Sequence, residues 1–524
     1  MLVSNPGLRW TLPYLILTAL YFFISLVVNI HKNGFDLNAH RALVKQYADV
    51  ATEASVDIFL PTAGEEIEVL INTWNGVRAL CRNRKGRVTV FVLDDADRPE
   101  VAELARMFGF QYSVRDNRGW FKKAGNLRHG YNISRPLGHE FVVIFDADFR
   151  PRSDFLDQML PYFYENPKVG LVQSPQYFDV HYRQSWLQRG AGAVQEFFYR
   201  YSQVARQSHG AAICVGTNAV YRRAALDTVG GTALIEHSED VHTGFNMRMQ
   251  GWSLTYVPLV LAKGICPDSM EAFFKQQYRW CMGSMSLLGS AKFWRTSMPI
   301  RARFSYFSGF LYYIHTAVSL FFTPVIPLTL LTVDAHSVSA LPYLLLLPAA
   351  LYTFVLFPTW HTADYGIEAW AVKHVYSWAH LVALIDLVRG APMGWVPTGA
   401  RDNSAGVSRY RVFRVSQALF GFGPSLVWAL FALYRVAVMW EVVFLPLCFA
   451  GMFAVYITGR VALFRRRAEA NQGYYIVTGD ATHPLVAFGE GEKNWVPSLG
   501  GHRFANSDHG GNALRDESEA QAAR

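Results

Sequence analysis

A soluble α/β domain inserted into a multi-span α-helical membrane domain is the fold class that three features of this sequence predict. Apolar residues concentrate at positions 1–30 and 305–460, whereas 31–300 has the composition of a globular protein. Within that soluble part, short apolar runs alternate with segments of helical period, the pattern of a mostly parallel sheet covered on both faces. Basic residues gather beside the apolar segments, where they anchor the cytosolic side of a membrane protein.

Composition narrows the class further. Of 524 residues, 51% are hydrophobic and 17% charged, with a mean hydropathy of +0.11. The net charge of +8 does not point to nucleic acid, because many of its basic residues flank apolar runs. Cys81, Cys214, Cys266, Cys281 and Cys448 are scattered without metal-ligand spacing, which argues against a disulfide framework or a zinc site and fits a reducing compartment.

Five membrane spans are expected. Trp10–Ile30 is an apolar run of about 20 residues without a clear cleavage site, so it reads as an uncleaved span. The others are Phe304–Leu331, Ala340–Phe357, Val415–Tyr434 and Trp440–Ile457. Lys292, Arg295, Arg301 and Arg303 precede the second span, Arg401, Arg409, Arg411 and Arg414 the fourth, and Arg465–Arg467 follow the fifth. The positive-inside rule then puts 31–303 and the tail in the cytosol, under a plasma (cell inner) membrane. Ala371–Arg389 carries Lys373, His374, His380 and Asp386, and as a sixth span it would invert the tail. An amphipathic helix on the cytosolic face is the expectation there. The tail from Ala468 is polar and reads as largely disordered.

In the soluble part Val56–Leu60, Val88–Leu93, Phe141–Phe145 and Val169–Val172 read as strands, and Glu65–Arg82 as an amphipathic helix. Ligands of such sheets gather at the carboxyl ends of the strands. Pro61-Thr62, Asp94-Asp95 and Asp146-Ala147-Asp148 all fall just after strands, on one edge.

Four signatures along this edge carry chemistry. Asp146 and Asp148 can present oxygens to Mg²⁺ or Mn²⁺, which takes one or two protein carboxylates and completes its shell with phosphate and water; strand-end capping is the plainer use of such residues. Asp94-Asp95 fits either a turn or contacts to a ribose or base. Ser238-Glu239-Asp240 precedes a helix, where serine is by default an N-cap; alternatively Asp240 is a general base for an acceptor hydroxyl. Gln276, Arg279 and Trp280 share a helix face, fitted either to hold a diphosphate and a sugar ring or to anchor the helix at a membrane surface.

Taken in order, these motifs resemble those of the processive family 2 glycosyltransferases of the cellulose synthase and cellulose synthase-like group. Separated aspartates, D-x-D, [T/S]-E-D and Q-x-x-R-W are all matched. Val56–Thr62, Lys123-Ala124-Gly125-Asn126, Val172-Gln173-Ser174-Pro175-Gln176, Gly216-Thr217-Asn218-Ala219 with Arg222-Arg223, and Gly394–Gly399 extend the resemblance over roughly 50–460. It implies a GT-A, Rossmann-like domain with Thr62, Glu65, Asp94, Asp95, Lys123, Asp146, Gln276 and Arg279 binding the nucleotide sugar. It further implies Asp146 and Asp148 on the metal, Asp240 as base with Glu239 and Asp148 completing the catalytic set, Trp280 on the acceptor, and Trp395 and Thr398 in a gating loop. The sequence departs from the family at Pro61-Thr62-Ala63-Gly64-Glu65, which lacks the usual tyrosine, and near Ala400, where a basic residue is common.

The expected organisation is a membrane helix and linker (1–50), the glycosyltransferase domain (51–268), interfacial helices (269–303), a channel bundle with gating elements at 371–400 (304–464), and a tail (465–524) too short for a cyclic-dinucleotide-binding barrel. The expected activity is polymerisation of UDP-glucose into a β-glucan, β-1,4-linked by first preference, and its translocation. Expected partners are the UDP-sugar donor, the growing polysaccharide, membrane lipid and accessory cell-envelope export proteins, with no nucleic acid. A mixed-linkage or β-1,3-glucan, chitin, hyaluronan or mannan synthase, a non-processive lipid-carrier transferase and an inactive scaffold or transporter remain the alternatives.

Overall fold

The structure, a computed structural model, describes residues 6–30, 35–82, 84–178, 180, 184–360, 367, 369–390 and 406–464. Ten strands appear among them: β1 (Val56–Thr62), β2 (Val88–Asp94), β3 (Gln111–Ser113), β4 (Phe141–Ile144), β5 (Phe149–Pro151), β6 (Val169–Gln173), β7 (Tyr177–Phe178), β8 (Ala219–Arg222), β9 (Ser253–Tyr256) and β10 (Ala262–Gly264). Seven form one sheet in the order β3-β2-β1-β4-β8-β6-β9, and β5-β10-β7 form a second.

The main sheet is mostly parallel, as expected. β8 is the exception: it runs antiparallel to both β4 and β6. Its reversal brings Gly216-Thr217-Asn218, the residues leading into β8, to the edge where β1, β2 and β4 end. Strand alternation divides the core between the two faces of the sheet. Ile58 and Leu60 pack with Leu70, Trp74 and Val77 of the helix Ile67–Arg82, while Phe59 packs on the other face with Leu127 and Tyr131 of the helix Lys122–Ser134. At the opposite, amino end of β1, buried Asp57 accepts from His139 Nδ1 at 2.8 Å and from Arg223, so a paired polar cluster pins that end of the sheet.

A third core joins the soluble domain to the membrane bundle. Phe273, Phe274, Tyr278 and Cys281 of the helix Met270–Leu288 pack with Tyr306 and Phe310 of Ile300–Thr332 and with Val372 and Trp378 of Ala369–Arg389. Four helical stretches among the described residues are long and apolar enough to cross a membrane: Leu8–Asn29, Ile300–Thr332, Arg409–Ala437 and Val442–Ala462. The remaining expected span is a shorter helical run, Leu341–Leu356. There Pro342 and Pro348 interrupt the backbone ladder, and the pitch passes from 3₁₀ to α to π.

The expectation of an amphipathic surface helix at 371–389 needs correction. The helix Ala369–Arg389 buries side chains around most of its first three turns, including Val375, Ser377, Trp378 and His380, rather than along one stripe. It is wedged between Met270–Leu288, Ile300–Thr332 and Trp186–Phe197. Trp395 and Thr398, the gating-loop residues, and the tail from 465 lie outside the described residues.

Candidate active site

At the carboxyl ends of β1, β2 and β4 lies a cleft of about 170 Å³, lined on the sheet side by Thr62, Glu65, Asp95, Lys123, Asp146 and Asp148, and opposite by Glu239, Asp240, Gln276, Arg279 and Trp280. Twelve site residues were expected within the described part of the chain. Eleven of them line this cleft; Asp94 does not.

Asp94 is fully buried and accepts from the backbone N–H groups of Ala96 (2.9 Å) and Arg98 (2.8 Å) and from Tyr112 Oη (3.1 Å). Its carboxylate builds the turn after β2, so its expected place on the nucleotide sugar is corrected to the bland alternative, turn chemistry. Asp95, next in sequence, reaches the cleft and is held there by Arg115, whose Nε and Nη2 meet its two oxygens at 2.5 and 2.6 Å. That bidentate pair fixes the carboxylate's direction. Thr62 and Glu65 are likewise preset. The Thr62 hydroxyl and the Ala63 N–H both donate to Glu65 Oε2 at 2.8 Å, and Arg98 grips the Glu65 carbonyl at 2.7 Å.

Lys123 stands on the first turn of the helix Lys122–Ser134. Its ammonium pairs with Asp146, lies 3.7 Å from Glu239, and donates to the Gly216 carbonyl at 3.2 Å. Burial works against that charge, but Asp146 and Glu239 outweigh it and hold the lysine above its ordinary value. Lys123 thereby bridges the D-x-D turn and the Ser-Glu-Asp segment.

Asp146 is oriented by its own N–H, which donates to Thr217 Oγ1 at 2.9 Å across the β4–β8 edge. The Asp148 carboxyl is pushed up to about 7, first by burial, then by the negative charges of Asp146 and Glu65. The turn thus holds more negative charge than its own cations neutralise, and its donors are hard oxygens, which suits Mg²⁺ or Mn²⁺. Among the described residues no cluster of three His, Cys, Asp or Glu could enclose a metal by protein ligands alone. Asp146 and Asp148 would hold such an ion, with phosphate and water completing its shell.

The serine of Ser238-Glu239-Asp240 is not an N-cap. Ser238 sits in the left-handed region (φ 56°) and makes no capping bond to the helix Glu239–Met249. The left-handed turn delivers both acidic residues to the cleft. Asp240 is raised to about 7, by burial first and then by Glu239, with Lys123 opposing. Gly216 (φ 81°) permits its approach, since a Cβ there would lie 2.9 Å from Asp240 Oδ2. Across the cleft, Arg279 is lowered to about 10 by burial, against the pull of Glu239, Asp146 and Asp148. Gln276 is 8% exposed, and its Oε1 has no hydrogen-bond partner among the described residues.

Several lining residues went unread from sequence. Phe178, Val215 and His237 carry no motif signal. Arg115 carries none either, because its role depends on meeting Asp95 from 20 residues away. Asn126 lines the cleft; its Nδ2 donates to the Leu93 carbonyl at 2.7 Å, and its Oδ1 has no partner among the described residues. Gln176 lines it too. Both belong to segments quoted above, and that context was the available signal.

With this geometry in view, comparison with known proteins is informative. The glycosyl transferase family group 2 model matches residues 141–357. Cellulose synthase 2 of Novacetimonas hansenii is 28% identical over 353 residues, covering 65% of this chain and 21% of that protein. The UDP-forming cellulose synthase catalytic subunit of Pseudomonas fluorescens is 30% identical over 249 residues, covering 47% and 32%. A probable glucomannan 4-beta-mannosyltransferase 4 of Oryza sativa is 32% identical over 211 residues, 38% of each chain. The chain spans between 21% and 38% of the length of these relatives.

Proposed function

We propose that this chain, in which residues 141–357 match the glycosyl transferase family group 2 model and which is similar to cellulose synthases, is a processive, inverting hexosyltransferase that builds a β-glycan from a UDP-sugar. The observation that carries the proposal is the convergence in one cleft of the Asp146/Asp148 turn, the Asp240 carboxylate and the Gln276–Arg279–Trp280 face, at the junction with the membrane bundle.

The residues divide the work by chemistry. Asp95 and Thr62 lie at the ends of β2 and β1, where a nucleoside would rest. Lys123 and Arg279 offer positive charge to the diphosphate, and Gln276 an unused acceptor to a sugar hydroxyl. A divalent cation on Asp146 and Asp148, with Mg²⁺ and Mn²⁺ equally suited, supplies charge neutralisation for the departing UDP. Asp240 accepts the proton of the acceptor hydroxyl as its oxygen bonds to C1 and the bond from C1 to the phosphate oxygen breaks. Attack from the side opposite the leaving group inverts the centre. Trp280 gives the acceptor ring a flat apolar face. Glu239, bound to Lys123, keeps that lysine in place beside the pair.

Glucose in β-1,4 linkage is the preferred product, by likeness to relatives named as cellulose synthases; mannose is the second reading, by likeness to the rice protein. We further propose that the soluble domain is cytosolic at the plasma membrane, that the product leaves through the bundle of about five spans, and that export partners receive it. The deciding experiment incubates the purified full-length protein with labelled UDP-sugars and Mg²⁺ or Mn²⁺, then digests the product with linkage-specific hydrolases. A high-mass polymer cut by a β-1,4-glucanase is expected. A short glycolipid, or no UDP release from any donor, overturns the proposal.

A further inference from the structure

Outside the residues that line the cleft, and against the helix Ile300–Thr332, a positive charge is buried without a counter-charge. Arg206 lies in the last turn of the helix Gln203–Ser208 and is only 7% exposed. Among the described residues no hydrogen bond or ion pair reaches its guanidinium, whose nitrogens keep a little accessible surface. A charge so nearly buried is costly unless something with oxygen acceptors completes it.

The surroundings say where that partner must come from. The helix Ile300–Thr332 approaches most closely at Gly309, where a Cβ would lie 2.7 Å from Arg206 Nη2. Its electrostatic neighbours are Tyr306 and Tyr313, three residues before and four after Gly309, on one face of the helix. That face looks into the protein. The Tyr306 ring meets Phe245, on the helix that carries Asp240, with centroids 5.8 Å apart, and Tyr313 interacts with both Arg206 and Asp240. The backbone ties the two sites as well. Gln203 Nε2 donates to the Ile213 carbonyl at 2.6 Å, three residues before Gly216, the glycine that abuts Asp240. Arg206 and Asp240 therefore both lie within electrostatic reach of Tyr313, on the helix Ile300–Thr332 of the bundle.

We propose that Arg206 is an acceptor-binding residue: its guanidinium donates to hydroxyl oxygens of a sugar already transferred, and so holds the glycan between successive additions. The proposal rests on the reading of function given above. A planar fork of donors matches two neighbouring hydroxyls of a pyranose ring, and the tyrosines beside it add flat faces suited to sugars. A neutral, oxygen-rich chain satisfies the guanidinium without fixing it so tightly that the polymer cannot advance.

The test compares wild type with Arg206→Met, Arg206→Lys and Gly309→Ala, purified full length in bilayer discs, measuring both initial UDP release and sugars per product chain. Loss of one charge-assisted hydrogen bond should shorten the chains about ten-fold in Arg206→Met, more than it slows UDP release. Arg206→Lys should fall between, and Gly309→Ala, which leaves the arginine present but pushes it aside, should shorten chains in the same direction. If Arg206→Met does not accumulate, the other two variants decide. Wild-type chain length in the variants overturns the proposal. So does a defect confined to discs containing anionic lipid, which would assign the arginine to a lipid phosphate. Failure of the wild-type protein to release UDP overturns the underlying function instead, and the proposal with it.

Discussion

Gly283 lies so close beneath Ser238 that a Cβ on the glycine would fall 1.9 Å from the serine Oγ and 2.1 Å from its Cβ. The helix bearing Gln276, Arg279 and Trp280 thus touches the left-handed residue that aims Asp240, and the two halves of the cleft share one contact. His242 and Ser286, 2.9 Å apart, fasten the same pair of helices one turn further on.

Gly283→Ala is expected to displace Ser238 and with it Asp240. A shift of about 1 Å at a reacting group costs roughly 100-fold in turnover. Steady-state kinetics with the UDP-sugar should show kcat falling by that order.

Asp240→Asn should leave UDP binding nearly intact and abolish polymer formation, since the amide cannot take the acceptor proton. Calorimetric binding of UDP alongside a polymer assay checks this. Substantial residual synthesis would remove Asp240 from the role of base.

The same residue sets a pH dependence. Asp240 is raised to about 7 and must be ionised to act, so activity should be lost as pH falls through that value and regained as it rises. Because Glu239 is raised by burial too, the pair titrates together and the midpoint belongs to both. A profile of kcat/KM between about pH 5 and 9 reads it on the free enzyme. A flat profile across pH 6–8 would contradict the assignment.

Asp95→Asn leaves Arg115, whose side chain is 2% exposed, without its carboxylate. Stranding a buried charge costs about 3–5 kcal/mol, so Tm should drop along with nucleotide affinity. Adding Arg115→Met should recover much of the Tm while leaving UDP affinity low, which separates the scaffold role of the pair from binding.

Chelating divalent cations should suppress transfer strongly, with recovery on adding back Mg²⁺ or Mn²⁺. Asp148→Asn should raise the metal concentration needed for half-maximal rate, read from a metal titration at fixed UDP-sugar.

Much of this was legible from sequence because it depends on local pattern. β1, β2, β4 and β6 were found from apolar runs, each within about two residues of its observed limits, the usual scatter of element ends. The cleft residues announced themselves by following strands or sharing a helix face. What escaped depends on contacts distant in sequence. β8 has only four residues, and its antiparallel insertion is settled by pairing with β4 and β6. Ser238 adopts a positive φ that its residue type does not advertise, at a point where it packs against Gly283 of the neighbouring helix. Asp94 and Asp95 are identical in type and adjacent, yet one turns inward to the backbone and the other to the cleft, a choice decided by Tyr112 and Arg115.

The Tyr278 hydroxyl donates to Asp386 at 3.0 Å, and Arg409 Nε meets the same carboxylate oxygen at 3.0 Å. One buried carboxylate therefore staples the arginine- and tryptophan-bearing helix to two segments of the bundle. The soluble domain is consequently not a cassette. Cutting the chain after residue 268 would remove one wall of the reaction cleft, and cutting after 288 would strip the cover from Phe273, Phe274 and Tyr278. Grafting this domain onto a foreign set of spans would meet the same obstacle, so inheritance and engineering alike must treat the cleft and its membrane support as one exchangeable unit.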